Sequence, residues 1–398
     1  MLDFNQVTSQ IRSFAQESVR TRPLYEAAGT EAHQRLNEAG PTWEYVRERI
    51  ALSRTSWLVA GWLESPDSII PAPPRPMPCV VLAADGSQIV SDRHDLAPCY
   101  LLNVGCISLR YGTGERALLT SRPMLSPPDE EMSEEVQGEQ VAIAPKRLAI
   151  RRLLAELASL TELITDHAPR AIPMLALCDG SLILWPLETE TMEFRLEALN
   201  QFQEHLASAQ RNRTPLVGYI SLPQSRDVVN SLRLFRCPKQ TVNCDLYCPK
   251  RNRPKPDFVA PDCSGTERIT DSELFRRVLK PGERSAVFSS RSKILQYYQP
   301  DQQICFFYLH TGAEVARVEF PAWVAEDPEL LSLTHALCMD QAQKGGGYPV
   351  ALAEAHEQAI VRGPERDAFF TLMERAFVTH HQTVSTTQKA LSKRARRV

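Results

Sequence analysis

The tripeptide Asp-Gly-Ser occurs twice in this chain, each time at the end of an apolar run. The first copy closes Cys79-Val-Val-Leu-Ala-Ala-Asp85-Gly86-Ser87, and the second closes Met174-Leu-Ala-Leu-Cys-Asp179-Gly180-Ser181. A short continuous apolar run reads as a strand buried on both faces, so each copy sets a carboxylate where a buried strand reaches solvent. Two such strands side by side would bring both carboxylates to one sheet edge. Oxygen ligands gathered in that way suit a hard divalent cation. Asp-Gly between hydrophobic runs is also the strongest short-range hairpin signal, and either copy alone reads more readily as a turn. The repetition and the residues downstream favour the metal-binding reading.

The surrounding pattern is mixed. Residues 1 to about 64 read as helices, with Phe4, Val7, Ile11 and Phe14 at helical spacing and Trp43, Val46, Ile50 and Trp57 repeating it. A proline cluster from Pro66 to Pro78 predicts a stiff connector and a boundary near residue 75. Strands are expected from Cys79, over 100–109 and over 116–119, followed by a Pro/Glu-rich excursion at 123–140. A helix from about Lys146 to Ile164 carries an apolar stripe of Leu153, Leu157, Leu160 and Ile164. The second Asp-Gly-Ser strand, continued through Leu182 to Trp185, comes next. A charged helix at about 189–210, a strand at 215–221 and a helix at 228–235 follow. Residues 236–280 read as a Pro/Lys/Cys-rich insertion with too few apolar residues for an ordinary core to order. Strands return at 285–288, 303–308 and 316–320, and helices over 328–343, 349–361 and 364–379 close the chain. The basic stretch from Lys389 to Val398 reads as disordered. The expected divisions are 1–75, a main domain at 76–375 and a flexible basic tail at 376–398. Three strands, a helix, a strand, a helix and a strand is the α/β order of a ribonuclease H-like mixed sheet flanked by helices, here with an N-terminal helical segment.

Composition narrows the function classes. The chain has 398 residues, 43% hydrophobic and 23% charged, the make-up of a soluble globular protein. A net charge of −3 excludes a globally basic nucleic-acid binder, so any polyanion site must be a local patch. No run reaches membrane-spanning length, and no early apolar stretch resembles a signal peptide. Ten cysteines without an export signal are expected as thiols or metal ligands in a reducing compartment, which reads as cytoplasmic.

Asp85 and Asp179 leave one position to fill on the helix between their strands. Glu156 lies one turn from Leu153 and Leu160, at the edge of the sheet-facing stripe, whereas Glu162 groups with Ala155, Ala158, Ser159 and Asp166 on the polar side. A metal ligand must face the sheet, so Glu156 is preferred; a solvated surface glutamate is the alternative for each. The stretch Lys344-Gly-Gly-Gly-Tyr348-Pro349-Val-Ala-Leu-Ala-Glu-Ala-His356 opens with glycines that allow close approach to a substrate. It continues with a proline suited to a first helical turn. His356 falls about two turns into that helix, where an imidazole can complete a metal shell or relay a proton, or can sit at the core edge bonded to a carbonyl. Tyr348 can hydrogen-bond a phosphate or simply pack. Ser87, Ser181, Arg226 and Lys344 are candidate substrate contacts, and Arg233 joins Arg226 as a phosphate-binding candidate. Such a constellation suits phosphodiester cleavage by metal-activated water.

Together these motifs resemble the NurA nucleases, which act in DNA double-strand break repair. The resemblance covers roughly residues 76–375. It rests on DGS at 85–87, DGSL at 179–182, GYPVALAEAH ending at His356, the Tyr219-Ile-Ser221 strand and Ala-Arg-Val-Glu-Phe-Pro-Ala-Trp at 316–323. With its cysteine insertion and Val361-Arg-Gly, the chain is most similar to the cyanobacterial branch. The resemblance implies a Mn²⁺- or Mg²⁺-dependent deoxyribonuclease, with Asp85, Glu156 (or Glu162), Asp179 and His356 holding the metal and Tyr348 in the site. It further implies 5′ to 3′ resection of DNA ends, cutting of single strands, a HerA-type hexameric ATPase as partner, and a homodimer. The competing reading is an inactive scaffold or DNA-binding adaptor with the same fold.

Cys237-x6-Cys244-x3-Cys248-x14-Cys263 offers four thiolates to zinc or an iron–sulfur cluster. The spacing is not that of CxxC pairs, so four free cysteines are the alternative. Lys239, Lys250, Arg251, Arg253 and Lys255 of the same loop can meet phosphates or merely solvate it. No GxxxxGK[ST], GxSxG or HExxH is present, so DNA movement must come from a partner. Trp43, Trp57 and Trp62 are expected anchors for that partner, unless they pack on the chain's own core.

Overall fold

The computed structural model describes residues 2–55, 57–91, 99–127, 134–136, 139–141, 144–168, 171–248 and 262–380. Helices α1 (Phe4–Ala39) and α2 (Trp43–Ala51) lead into two short strands, β1 (Gly61–Trp62) and β2 (Ile69–Pro71). There follow β3 (Cys79–Val90), β4 (Tyr100–Tyr111), β5 (Leu118–Ser126), β6 (Glu134–Val136), β7 (Glu139–Val141), α3 (Pro145–His167), β8 (Met174–Asp179), α4 (Met192–Arg211) and β9 (Leu216–Ile220). Next come α5 (Asp227–Phe235), α6 (Cys244–Tyr247), α7 (Asp271–Val278), β10 (Glu283–Ser285), β11 (Phe288–Ser289), β12 (Ile304–His310) and β13 (Val315–Pro321). Helices α8 (Ala322–Ala325), α9 (Pro328–Lys344), α10 (Val350–Ala359) and α11 (Gly363–Thr379) end the described chain.

One mixed sheet runs β1-β11-β12-β13-β9-β8-β3-β4-β5, with β10 and β2 beside β12. Strands β3, β4 and β5 pair antiparallel, while β3, β8 and β9 run parallel. The parallel pairs are joined through α3 and α4, as parallel strands require a crossover. The order β5-β4-β3-β8-β9 with these directions is the ribonuclease H-like arrangement read from the sequence. Strand β13 then extends it, antiparallel to β9.

Strand alternation assigns the faces. A Cβ on Gly86 would lie 2.5 Å from Glu156 Oε1 and 2.7 Å from Arg152 Cγ, both on α3. One on Gly105 would lie 2.1 Å from the Ala355 carbonyl oxygen of α10. Gly105 is the cross-strand partner of Asp85, so Asp85 shares the α10 face and Gly86 opens the α3 face. The main core, with Val81, Leu82, Leu157, Leu160, Leu177 and Phe202, fills the space around these strands. A second core joins Leu36, Ile50, Trp62, Leu232, Phe275 and Tyr308. Each such side chain contributes about 1.5–3 kcal/mol on burial.

Several expectations are corrected. Neither Asp-Gly-Ser is a hairpin turn. Asp85, Gly86 and Ser87 lie inside β3, opposite Gly105, Val104 and Asn103. The second strand ends at Asp179, not Trp185: Gly180 turns the chain at φ 106°, and Leu182 to Leu184 stay buried outside the ladder. The N-terminal stretch is not wholly helix and connector, because β1 and β2 pair with β11 and β10. The second half of 236–280 is ordered on an ordinary core. There α7 has a capping box between Thr270 and Glu273 and buries Leu274 and Phe275. The tryptophans pack on the chain itself. Trp62 is buried and donates to Ser231 Oγ at 2.8 Å, Trp57 lies 4.2 Å from Arg233, and Trp43 packs on the second core. Lys250, Arg251, Arg253, Lys255 and the tail beyond His380 lie outside the described residues. Among the described residues no helix is long and apolar enough to cross a membrane.

Candidate active site

The parallel ladder between β3 and β8 reaches Ala84 and Cys178. Asp85 and Asp179 are the next residues of each strand, where β8 stops and β3 continues. Asp85 is held on both oxygens: Oδ1 accepts from the Gly86 N–H at 2.8 Å, and Oδ2 lies 2.7 Å from His356 Nδ1. His356 projects from α10 and is exposed to solvent. Tyr348 lies just ahead of α10, with its hydroxyl close enough to the Asp179 carboxylate to favour the ionised form of that acid. Its ring stands edge-on to Tyr219 with centroids 5.6 Å apart.

Glu156 comes from the other side of the sheet. Only 4% exposed, it reaches the strand end through the gap that Gly86 leaves, and Arg152 Nε stands 3.3 Å from its Oε1. Burial pushes the Glu156 carboxyl up to about 8; Arg152 opposes the shift, and the charges of Asp85 and Asp179 add to it. Burial also raises Asp179, again with help from Asp85, against the Tyr348 hydroxyl and His356. Burial and the Asp179 charge hold the Tyr348 hydroxyl firmly protonated. Three carboxylates from separate elements therefore sense one another in a partly desolvated place. A divalent cation relieves that repulsion, and the all-oxygen set with one imidazole is the donor chemistry hard cations take. Among the described residues no three His, Cys, Asp or Glu side chains already surround a single point.

The other sequence candidates fall elsewhere. Glu162 is exposed and paired with Arg122. Ser87 Oγ donates to the Ala359 carbonyl and so docks α10, together with Asn103 Nδ2 at 2.8 Å. Ser181 Oγ donates to Glu319 Oε2 at 2.7 Å. Arg226 donates to the Glu267 carbonyl at 2.7 Å, and Arg233 pairs with Glu267. Lys344 folds onto Asp340 and the Tyr111 ring. Tyr111 is paired with Cys79 at the start of β3, away from Asp85 in its middle. None of these four substrate assignments is supported by the placement. A cavity of about 730 Å³ between Ile172, Arg213 and Leu333 opens near Met174, at the end of β8 opposite Asp179.

Two supports escaped the sequence reading. Arg152 is the cation beside Glu156. Glu319, fully buried, accepts from Ser181 Oγ, the Leu182 N–H at 2.9 Å and Arg317 Nε at 2.8 Å. Arg317 is pinned in turn by Asp227 at 3.0 Å. This buried chain fixes the loop after Asp179. Its signal was present: Arg317 and Glu319, two apart in an apolar strand, must share one buried face.

A family model described as NurA domain matches residues 79–361. Comparison with curated proteins gives no match. Among solved structures, a crystal structure of NurA with manganese aligns over 79% of this chain and 92% of its own, at 10% identity and a TM-score of 0.40. A second NurA crystal structure aligns over 76% and 90%, at 12% identity and 0.37. The catalytic domain of human Endonuclease V aligns over 84% and 98%, at 12% identity and 0.31.

Proposed function

The chain belongs to the NurA family, and on that premise we propose that it is a metal-dependent DNA nuclease whose ion is held by Asp85, Glu156, Asp179 and His356. The observation that carries this reading is the meeting of three carboxylates at the end of β8, close enough for each aspartate to raise Glu156. When bound, the ion supplies an activated water and stabilises charge on the leaving oxygen.

The chain's own residues do the rest. The Gly86 N–H holds Asp85 Oδ1, which keeps Oδ2 turned to His356. With Nδ1 engaged there, His356 leaves Nε2 as its nitrogen for the ion. Tyr348 stays protonated, so its hydroxyl positions Asp179 or donates to a phosphate oxygen and does not serve as base. Glu156 must shed its proton to become a ligand. Arg152 beside it is placed to meet a phosphate.

Manganese is the ion we assign. The activities are 5′ to 3′ exonuclease and single-strand endonuclease, in end resection during double-strand break repair in the cytoplasm. Membership of the NurA family implies a HerA-type hexameric ATPase that feeds the DNA, and a homodimer as the working unit. Residues 1–64 supply the ATPase contact; with the tryptophans packed inside, the exposed Phe4, Ile11 and Phe14 of α1 support that role.

The test is incubation of labelled single- and double-stranded DNA with the purified chain in Mn²⁺, Mg²⁺ or EDTA. Cleavage is expected in Mn²⁺ and none in EDTA. Asp85→Ala and Asp179→Ala should each lose it with an unchanged circular dichroism spectrum. Failure of the unaltered protein with every divalent ion would favour the scaffold reading; full activity in both variants would remove the site assignment.

A further inference from the structure

The four cysteines of the insertion have no part in the nuclease site, yet the fold gathers them. Cys244 opens α6 and Cys248 caps it one turn later: the Cys248 N–H bonds the Cys244 carbonyl at 3.2 Å, and the two thiols lie within electrostatic reach of each other. Cys237, just past α5, and Cys263, from the far side of the loop, bring their sulfurs within electrostatic reach of Cys244 and Cys248. Cys237 and Cys244 pack on the second core. Three chain segments thus meet through side chains of one chemical type.

The surroundings are cationic. Arg49 Nη2 holds the Cys237 and Lys239 carbonyls, each at 2.8 Å. Arg35 Nη1 holds the Cys263 carbonyl at 3.1 Å. Arg233, 6% exposed, lies within electrostatic reach of the Cys263 thiol and keeps a buried Nε with no hydrogen-bond partner among the described residues. Arg35 and Arg233 are paired with Glu31 and Glu267, whereas among the described residues Arg49 bonds only backbone carbonyls, and neutral thiols leave its charge unmatched. Four thiolates on a divalent ion leave a net charge of −2, which such a shell offsets.

We propose that Cys237, Cys244, Cys248 and Cys263 bind a single zinc ion as a closed tetrathiolate. Soft thiolates select zinc over the hard cations of the carboxylate site. A fully protein-liganded tetrahedral site is structural rather than catalytic. As placed, no three sulfurs close on one point; on binding, each thiol gives up its proton to solvent and the four sulfurs converge to about 2.3 Å from the ion. The site fastens both ends of the segment between Cys248 and Cys263 to the core under α1, α2 and α5. Its metal binding is then also folding energy for the insertion.

The full chain, purified without added metal and dialysed against EDTA, should retain one zinc per chain by elemental mass spectrometry. Titration with a mercurial should release it as these thiols react, in the unaltered protein. Cys237→Ser should lose the zinc and Cys237→His should keep it. Stripping with phenanthroline should speed proteolysis between Cys237 and Cys263 several-fold. Protein without zinc whose four cysteines react as free thiols would overturn the proposal. So would iron with acid-labile sulfide, or a disulfide among the four. These readouts do not depend on DNA cleavage, so the zinc site and the nuclease reading stand or fall separately.

Discussion

Replacing Glu156 with Gln probes the electrostatics of the carboxylate site. The carboxyl rises from 4.5 to about 8, chiefly through burial, with Arg152 opposing and Asp85 and Asp179 adding. A carboxyl raised in the folded state binds its proton more tightly there than in the unfolded chain. Its contribution to stability is therefore fully present below about pH 4.5 and is lost as the pH rises through about 8. At about 1.4 kcal/mol per pH unit, that span amounts to roughly 5 kcal/mol at most. Gln keeps the shape and cannot ionise. Urea unfolding in EDTA, from about pH 5 to about pH 9, should show the stability of E156Q minus that of the unaltered protein climbing by several kcal/mol and levelling above about pH 8. Mn²⁺ should stabilise the unaltered protein more than E156Q, because a bound cation removes the cost of ionising Glu156. A difference that stays flat across this range would refute the reasoning, since Glu156 would then ionise as freely in the fold as out of it.

Gly105→Ala places a Cβ 2.1 Å from the Ala355 oxygen and 2.6 Å from the Ala359 nitrogen. Backbone cannot yield cheaply, so α10 should shift, destabilising by about 1–3 kcal/mol; with His356 displaced from Asp85, kcat should fall on the order of 10²-fold. Glu319→Ala leaves Arg317 buried beside Asp227 with half its partners gone, and chemical unfolding should register a loss of about 3–5 kcal/mol. Ser181→Ala removes one hydrogen bond to the same carboxylate and should cost about 1.5–3 kcal/mol; equal losses for the two variants would show that Arg317 does not depend on Glu319.

Legibility followed the range of the interaction. Period and punctuation exposed the strands, and the helical wheel separated Glu156 from Glu162, because facing a sheet is written in local spacing. The two Asp-Gly-Ser copies show where local spacing stops. Their serines read alike, yet Ser87 bonds α10 and Ser181 bonds β13, partners far apart in sequence. The turn-like Asp-Gly of the first copy runs straight through a strand paired with β4, and its glycine serves the packing there, since Glu156 on the opposite face occupies the space a side chain would need. Lys344 looked like a substrate contact beside its glycines, but Asp340 one turn back captures it. The capping box Thr270-Asp-Ser-Glu273 was a readable local sign of α7 inside the supposed loop. The buried chain from Asp227 through Arg317 to Glu319 joins residues from α5 and β13, and only the folded sheet brings those together.

Crystals soaked in Mn²⁺ and measured at the manganese absorption edge give the most direct test of the metal site. Anomalous density is expected between the carboxylates of Asp85, Glu156 and Asp179, with oxygens at about 2.2 Å, and it should vanish in Asp179→Ala crystals. An active protein whose manganese sits elsewhere, or whose peak survives that substitution, would contradict the assignment.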